Sequence, residues 1–201
     1  MRDLRVSNCT GDGVCIGGAS NDVVISNIVS TNNRRQGLSI TNCTGIKVYD
    51  SEFSYTNGTS PECGIDIEPD LGYSCSDVWI ENCSLVGNAK YGLNVYKRAS
   101  DVTLVRSRVQ DNGSCGVVTV GCGPVRITQN AIHDNSATGL LVQDGTAHCL
   151  TDGNLFYANY SRLGAVTRSP FTQTGWTASI ERDILMRGSL SDVVIGSNDY
   201  R

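Results

Sequence analysis

A glycine followed by alternating apolar residues recurs seven times along the chain, and successive copies lie 23 to 28 residues apart. The copies begin at Gly13, Gly37, Gly64, Gly92, Gly116, Gly139 and Gly164. Repetition at this period is typical of solenoids, in which each repeat buries its apolar face against its neighbours. Because the apolar residues alternate with a period of two, the repeated unit is predicted to be a strand.

Each repeat contains two further short apolar segments, which predicts three strands per repeat. Val23-Val24-Ile25 and Val78-Trp79-Ile80 represent the second strand, and Leu85 represents the third. An asparagine follows the third strand in four repeats: Asn57, Asn88, Asn112 and Asn135. Asparagine tolerates left-handed backbone, so this position is predicted to be a tight turn. The sequence therefore predicts an all-β fold, a right-handed parallel β-helix (solenoid) of about seven rungs.

The repeat sets the expected domain boundaries. It covers residues 1–168, which we assign to the β-helix, and the period breaks afterwards, so residues 169–201 are predicted to form a C-terminal closing segment. Residues 4–9 already match the second strand of a rung. An uncapped rung at the first residues predicts that the chain is a fragment of a longer solenoid, or pairs with another chain there.

Composition excludes several classes of function. The chain has 201 residues and a formal net charge of −4, which argues against nucleic-acid binding because that requires a basic face. No apolar run reaches the length of a membrane span, and no signal peptide is visible. The sequence thus predicts a globular chain with neither a nucleic-acid partner nor a membrane span.

Nine cysteines suggest a metal or disulfide framework until they are placed on the repeat. Cys43, Cys75 and Cys122 each lie three residues before the second strand, where other rungs carry small residues such as Ala99. A row of small inward-facing side chains suits reduced cysteine, which packs as a small hydrophobe. No Cys-x-x-Cys pair is present, so we predict no metal site and no cofactor.

Acidic side chains gather on the outward face of the third repeat. Ile65 and Ile67 are predicted to point inward, so that Asp66 and Glu68 point outward, with Asp70 just beyond them. Carboxylates two residues apart on a strand lie near the separation that inverting glycoside hydrolysis requires. Crowding of like charges raises the pKa of one of them, as a general acid requires. We predict these three acids as catalytic candidates, one protonating the leaving group and another activating water.

Basic and aromatic residues flank the acids and are predicted to bind the substrate. These candidates are Arg35, Glu62, Tyr91, Asn94, Tyr96, Lys97 and Arg98. Guanidinium groups match the carboxylates of acidic sugars. The alternative is a solvated surface, because outward rows of acids and bases are also common as weak cross-strand pairs. Farther along the same face, Val118 and Leu141 are predicted to be exposed, which indicates contact with another subunit.

The repeat resembles the pectate-lyase-like superfamily of right-handed parallel β-helices over residues 2–168. A shared pattern, Ile-x-Asn-Cys/Asn-x-Ile/Val-x-x-Asn, recurs in Val78–Asn88 and Ile127–Asn135. The segments Asn33–Ile40 and Cys63–Asp70 resemble one common in bacterial and bacteriophage β-helix proteins that act on polysaccharides. This superfamily includes hydrolases, lyases, C5-epimerases and phage tailspikes, and a shared fold does not choose among them.

The resemblance implies a tailspike-type glycoside hydrolase that acts on bacterial surface polysaccharide. Asp66, Glu68 and Asp70 match the acids on the outer face of such hydrolases. It further implies a homotrimer located outside the cell or on a virion. The virion-binding and trimerising parts of tailspikes are not recognisable in this chain, which leaves that assignment open.

Two alternatives remain open. In a lyase or C5-epimerase of uronic-acid polymers, Arg35 or Lys97 neutralises the sugar carboxylate and a tyrosine or lysine takes the C5 proton. In a non-catalytic solenoid, the same face binds a glycan or serves as a structural spacer.

Overall fold

The computed structural model describes residues 1–160, 171–173 and 183–201. In this part of the chain there are 22 strands and no helix, and every strand pairing is parallel. The strands wind into a solenoid of about 6 turns. The predicted all-β parallel solenoid is confirmed, with about one turn fewer than the repeat count suggested.

The strands at the first six repeat glycines belong to an eight-stranded sheet. Its members are β2 (Val14–Ile16), β4 (Gln36–Ile40), β7 (Cys63–Ile67), β10 (Leu93–Val95), β13 (Val117–Val120), β16 (Leu140–Gln143), β19 (Phe171–Gln173) and β20 (Ile184–Arg187). Strands β2 to β16 stack in chain order, one per rung, and β20 follows β16. This sheet is one wall of the solenoid.

The other two strands of each rung form a fourteen-stranded sheet with two legs that meet at the 11-residue strand β3 (Asn21–Thr31). The first leg contains β5 (Thr44–Tyr49), β8 (Cys75–Glu81), β11 (Ala99–Val105), β14 (Val125–Thr128), β17 (Ala147–Asp152) and β21 (Ser191–Ile195). The second leg contains β6 (Glu52–Ser54), β9 (Ser84–Val86), β12 (Arg108–Gln110), β15 (Ala131–His133), β18 (Leu155–Tyr157) and β22 (Asp199–Tyr200). Strand β1 (Arg2–Ser7) pairs with β3.

The interior is a continuous column of aliphatic side chains. Ile65 and Ile67 are fully buried, as the alternation predicted, and stack on Leu38 and Ile40 of the preceding rung. Fully burying one such side chain contributes about 1.5–3 kcal/mol. Because alternate side chains point inward, the side chains between them must point to the outer face of the sheet.

All nine cysteines are free thiols, and seven of them are buried. Cys43, Cys75 and Cys122 lie in the aliphatic core, as predicted from their place in the repeat. Thiols are small and apolar enough to fill the space at the turn between two walls. Cys43, Cys75 and Cys122 are therefore packing residues of the interior.

The repeated asparagines differ from the turn residues that the sequence predicted. Left-handed backbone falls on the residue before each of them, at Gly87, Asp111 and Asp134. The asparagine side chains are buried and stack into a hydrogen-bonded column, here called the asparagine ladder, which consists of Asn88, Asn112, Asn135 and Asn159. Asn57 is exposed, and the neighbouring Thr56 takes the ladder position instead.

The seventh glycine copy, at Gly164, lies outside the described residues. Residues 184–200 carry strands β20, β21 and β22, which pair in parallel with β16, β17 and β18. The chain therefore returns to both sheets with the same three-strand arrangement. None of the described residues lies in a helix long and apolar enough to cross a membrane.

Candidate active site on the eight-stranded sheet

The outward-facing side chains of the eight-stranded sheet form a row along the solenoid axis. Strand register places Ser39 beside Asp66, and Asp66 beside Asn94. The complete row is Cys15, Ser39, Asp66, Asn94, Val118, Leu141 and Leu185. Neighbouring rungs stack at about 4.8 Å, so each side chain of the row contacts the next. Asp66 is the one carboxylate in this row.

Asp66 faces outward as predicted, but it is only 1% exposed. Its carboxylate oxygens accept hydrogen bonds from Gln36 Nε2 at 2.5 Å and from Asn94 Nδ2 at 2.8 Å. Burial raises the pKa of Asp66 from 3.8 to about 7, although the hydrogen bond from Asn94 opposes the rise. The expectation of a solvated strip is therefore wrong at this position, because amide side chains from both neighbouring rungs cover the carboxyl group.

Glu68 lies two residues farther along the same rung and is half-buried. Its carboxylate makes no hydrogen bond or ion pair among the described residues, in contrast with Asp66. It lines two clefts, one on each side of it along the solenoid axis. Glu68 is thus an available carboxylate at the centre of a groove.

The first cleft has a volume of about 390 Å³ and lies toward the N-terminal rungs. Its lining residues are Asp12, Cys15, Arg35, Ser39, Thr41, Glu68, Pro69, Asp70, Leu71 and Arg98. Arg35 Nη1 contacts the Asp12 carboxylate at 3.1 Å, and its side chain is half-exposed. Burial raises the pKa of Asp12 even though the Arg35 guanidinium opposes this. This cleft presents cations and carboxylates together.

The second cleft has a volume of about 610 Å³ and lies on the C-terminal side of Glu68. Its lining residues are Pro61, Glu68, Lys90, Tyr91, Asn94, Tyr96, Lys97, Val118, Val120, Gln143 and Asp144. Lys97 Nζ lies 5.5 Å from the centre of the Tyr96 ring, a cation–π contact. Burial raises the pKa of Tyr91, and the nearby thiols of Cys115 and Cys63 add to this effect. Tyr91 therefore keeps its phenol proton at neutral pH.

Two of the predicted residues stabilise the loop that follows Glu68. Asp70 is exposed; its Oδ2 accepts a hydrogen bond from Asn42 Nδ2 at 2.7 Å, and its N–H donates to Asn42 Oδ1 at 2.9 Å. Arg98 Nη2 donates to the carbonyl of Pro69 at 2.6 Å. Both residues line the first cleft and at the same time fasten its wall.

A second loop, at residues 58–62, borders the other cleft. The Glu62 carboxylate accepts the N–H of Gly58 at 2.8 Å, and Lys90 Nζ donates to Ser60 Oγ at 3.0 Å. Lys90 lines the cleft, whereas Glu62 does not. The structure thus places Glu62 in the loop behind the cleft rather than in its lining.

The apolar end of the row is not exposed, contrary to the sequence-based expectation. Val118 is 2% exposed and Leu141 is 9% exposed. They form a second apolar cluster with Cys115 and Leu185, and the half-buried Tyr91 packs against it. Because burial within one chain accounts for these side chains, they give no indication of a partner subunit.

Sequence reasoning did not single out Asp12 and Gln36, which lie just before the first two repeat glycines. The next four repeats carry Cys63, Tyr91, Cys115 and Thr138 at this position, of which only Tyr91 was a predicted site residue. Gln36 is fully buried and contacts Asp66 directly. Aligning the repeats column by column shows a carboxylate and an amide, Asp12 and Gln36, where the third and fifth repeats carry cysteine. That contrast was the available signal.

The remaining candidate groups lie on the other sheet. His133 Nδ1 contacts Asp134 at 2.6 Å, and His148 Nδ1 contacts Asp192 at 2.7 Å, both on the fourteen-stranded sheet. Trp79 also lies there, so it does not stack on a ligand beside Asp66. Among the described residues, no group of three or more His, Cys, Asp or Glu side chains is arranged to hold a metal ion.

The chain belongs to the right-handed β-helix family, whose model, described as a right handed beta helix region, matches residues 1–156. The match confirms the right-handed β-helix that the repeat pattern predicted. A comparison with curated proteins found no match.

Similar folds occur among solved structures of alginate-modifying enzymes. The chain is similar to the A-modules of the Azotobacter vinelandii mannuronan C-5 epimerases AlgE6 and AlgE4, with TM-scores of 0.70 and 0.68 and identities of 18% and 21%. These alignments cover 99% and 97% of this chain, but only 57% and 54% of the epimerase modules. A mutant of the periplasmic alginate epimerase AlgG aligns with a TM-score of 0.57 and 9% identity, covering 96% of this chain and 50% of that one. The chain thus spans about half the length of these structures, and the likeness establishes the fold.

Proposed function

We propose that this β-helix belongs to an enzyme that acts on a uronic-acid polysaccharide by removing the C5 proton of a sugar, as an epimerase or a lyase. The observation that carries the proposal is the available carboxylate of Glu68 beside the buried Asp66, in a groove that also presents Arg35, Lys97 and Tyr91. The names of the similar structures, mannuronan and alginate epimerases, support the same substrate class.

The chemistry explains why both acids and cations are needed. The C5 proton of a uronic acid lies next to the sugar carboxylate, and removing it places further negative charge on that group. Fixed donors or cations aimed at this charge lower the barrier. The half-exposed Arg35 lines the first cleft together with Glu68, and the exposed Lys97 lines the second cleft together with Glu68. A protonated Asp66 would add no negative charge to repel the same carboxylate.

Glu68 is the proposed base. Its carboxylate is not engaged by any donor among the described residues, so it can accept the C5 proton without first breaking a contact. Tyr91, whose pKa is raised by burial, is the proposed acid. In an epimerase it returns a proton to C5 from the opposite face. In a lyase the C4–O bond breaks as a C4–C5 double bond forms, and the acid protonates the departing oxygen.

The hydrolase alternative rests on the carboxylate pair alone. Alternate residues on one strand lie about 6.8 Å apart, which is compatible with an inverting mechanism. In a hydrolase one acid protonates the glycosidic oxygen while the other activates water. Asp66 is 1% exposed and both of its oxygens face amide donors, so it is poorly placed to protonate a glycosidic oxygen.

The test uses polymannuronate in deuterated water. An epimerase incorporates deuterium at C5 and changes the sugar configuration in the NMR spectrum, whereas a lyase produces unsaturated ends that absorb in the near ultraviolet. We expect Glu68→Gln to lower turnover by about 10²- to 10⁴-fold, the usual contribution of a positioned acid or base. Glu52→Gln is the matched control, because Glu52 is a half-buried glutamate on the other sheet.

Each outcome separates the alternatives. Full turnover in Glu68→Gln would remove Glu68 from the reaction. New reducing ends without deuterium or unsaturation would establish the hydrolase. Binding of the polymer with no chemical change would favour the non-catalytic glycan-binding solenoid.

A further inference from the structure

Gln36 is fully buried at the first position of β4, on the rung before the acids. Its Nε2 donates to Asp66 Oδ2 at 2.5 Å, and its Oε1 accepts the main-chain N–H of Cys63 at 3.0 Å. Both ends of the amide are therefore engaged, one by the neighbouring backbone and the other by the carboxyl group.

These two contacts also fix the orientation of the amide. A backbone N–H can only donate, so the oxygen of Gln36 must face Cys63. The amide nitrogen must then face Asp66. Asn94 donates to the other oxygen of Asp66 from the opposite rung, so the carboxyl group is held between two donors.

We propose that Gln36 is a positioning residue, which fixes the orientation of the Asp66 carboxyl group through its own bond to the Cys63 backbone. The inference rests on the proposed function in assigning Asp66 to the reaction. Gln36 itself is fully buried behind the carboxyl group, and we expect it to act through Asp66 rather than on a substrate.

The charges that face Asp66 explain why a neutral amide suits this position. Glu68 and Asp12 raise the pKa of Asp66, and Arg35 lowers it. Burial and the nearby Asp66 raise the pKa of the Cys63 thiol, which is therefore uncharged. A lysine or arginine in place of Gln36 would add a positive charge and hold Asp66 ionised, whereas an apolar side chain would remove a donor to the ionised form. An amide stabilises the carboxylate without adding charge.

The first experiment uses the unaltered protein. The side-chain amide signals of Gln36 and Asn94 in the NMR spectrum should shift with pH at the same midpoint as the carboxyl carbon of Asp66. A titrating Asp66 carbon with a pH-independent Gln36 amide would overturn the proposal. This measurement needs no substrate and no variant, so it does not depend on the proposed function.

The second experiment removes the donor. In Gln36→Met we expect the pKa of Asp66 to rise by about 1 to 2, because a hydrogen bond to a charged group is worth about 1.5–3 kcal/mol, and 1.36 kcal/mol corresponds to one pKa unit. The matched control is Gln110→Met, because Gln110 Nε2 also donates to an aspartate, Asp111, but at an exposed site on the other sheet. An unchanged pKa of Asp66 in folded Gln36→Met would overturn the proposal.

A third variant keeps the hydrogen bond and reverses its polarity. In the double variant Gln36→Glu/Asp66→Asn, the new carboxylate accepts from both Cys63 and the new amide, while Asn94 still has an acceptor. We expect thermal stability nearer to the wild type than that of Gln36→Met, with no titration at position 66. If turnover on polymannuronate is absent in the wild type while the titrations behave as expected, the proposed function fails and the positioning role stands.

Discussion

Two of the buried polar networks in this solenoid, the asparagine ladder and the row around Asp66, differ in the group that accepts the hydrogen bonds. In the asparagine ladder each amide donates to the oxygen of the next: Asn88 to Asn112 at 3.0 Å, then Asn112 to Asn135 at 2.9 Å, then Asn135 to Asn159 at 2.9 Å. In the row on the eight-stranded sheet, Gln36 and Asn94 both donate to the carboxylate of Asp66. The first network joins amides to amides, and the second places a charge between them.

The difference shows that one position of the repeat, that of the asparagine ladder, serves stability, whereas another, that of Asp66, carries an ionisable group. An amide is both donor and acceptor, so a column of amides satisfies itself from rung to rung and remains neutral at any pH. A carboxylate only accepts, so it needs a donor on each side and ends the pattern. The ladder can be extended over many rungs, whereas the Asp66 arrangement occurs once and responds to pH.

The largest expected effect comes from breaking the ladder in its middle. Asn112→Leu removes the acceptor for Asn88 and the donor to the carbonyl of Leu85. Buried groups left without a partner cost about 1–3 kcal/mol each, so we expect a loss of about 5 kcal/mol in the free energy of unfolding. Chemical denaturation measures it. A loss below about 1 kcal/mol would show that the ladder does not carry stability.

The next effect tests the charge in the other network. Between pH 3.8 and about 7 the folded chain holds a proton on Asp66 that the unfolded chain has released. Stability therefore falls as pH rises through this window and levels off above it. Relative to Asp66→Asn, which cannot titrate there, the wild type should lose about 4 kcal/mol between pH 4 and pH 8. Parallel pH profiles of the two proteins would contradict the raised pKa.

The smallest effect is at the end of the ladder. Thr56 donates through its hydroxyl to Asn88 Oδ1 at 3.0 Å, and its main-chain N–H donates to the same oxygen. Thr56→Val removes only the hydroxyl, so Asn88 Oδ1 still accepts the main-chain N–H and we expect a loss of about 1 kcal/mol. Chemical denaturation of Thr56→Val and Asn112→Leu side by side gives the ratio of their losses in the free energy of unfolding. Equal losses in the free energy of unfolding for the two variants would mean that the middle of the ladder contributes no more to stability than its end.

The fold could be predicted from the sequence because the alternation of apolar residues within each strand and the spacing of the repeats are both visible in short stretches of chain. Ile65 and Ile67 face inward for the reason the pattern implies, and Asp66 must then face outward. Its burial was not predictable from its own strand, because the covering amides come from Gln36 and Asn94, 30 and 28 residues away. Contacts between rungs depend on how the strands align, and this alignment cannot be read from the sequence when the repeats differ in length.

The asparagines show the same limit. Asparagine is compatible with a left-handed turn, and the chain does turn at these positions. The left-handed backbone, however, is adopted by the residue that precedes each ladder asparagine. What places Asn112 inside is the chance to bond to Asn88 and Asn135, which only stacking of the rungs provides. A propensity describes one residue, whereas a ladder is a property of the stack.

The groove around Glu68 is assembled from successive rungs, each of which contacts only its neighbours. A duplicated or deleted rung beyond Val117–Val120 would therefore lengthen or shorten the second cleft and leave Gln36, Asp66 and Asn94 in place. Evolution, or an engineer, can in this way change how much of a long ligand is held without rebuilding the acidic centre. The solenoid separates the length of a binding surface from the chemistry at its middle.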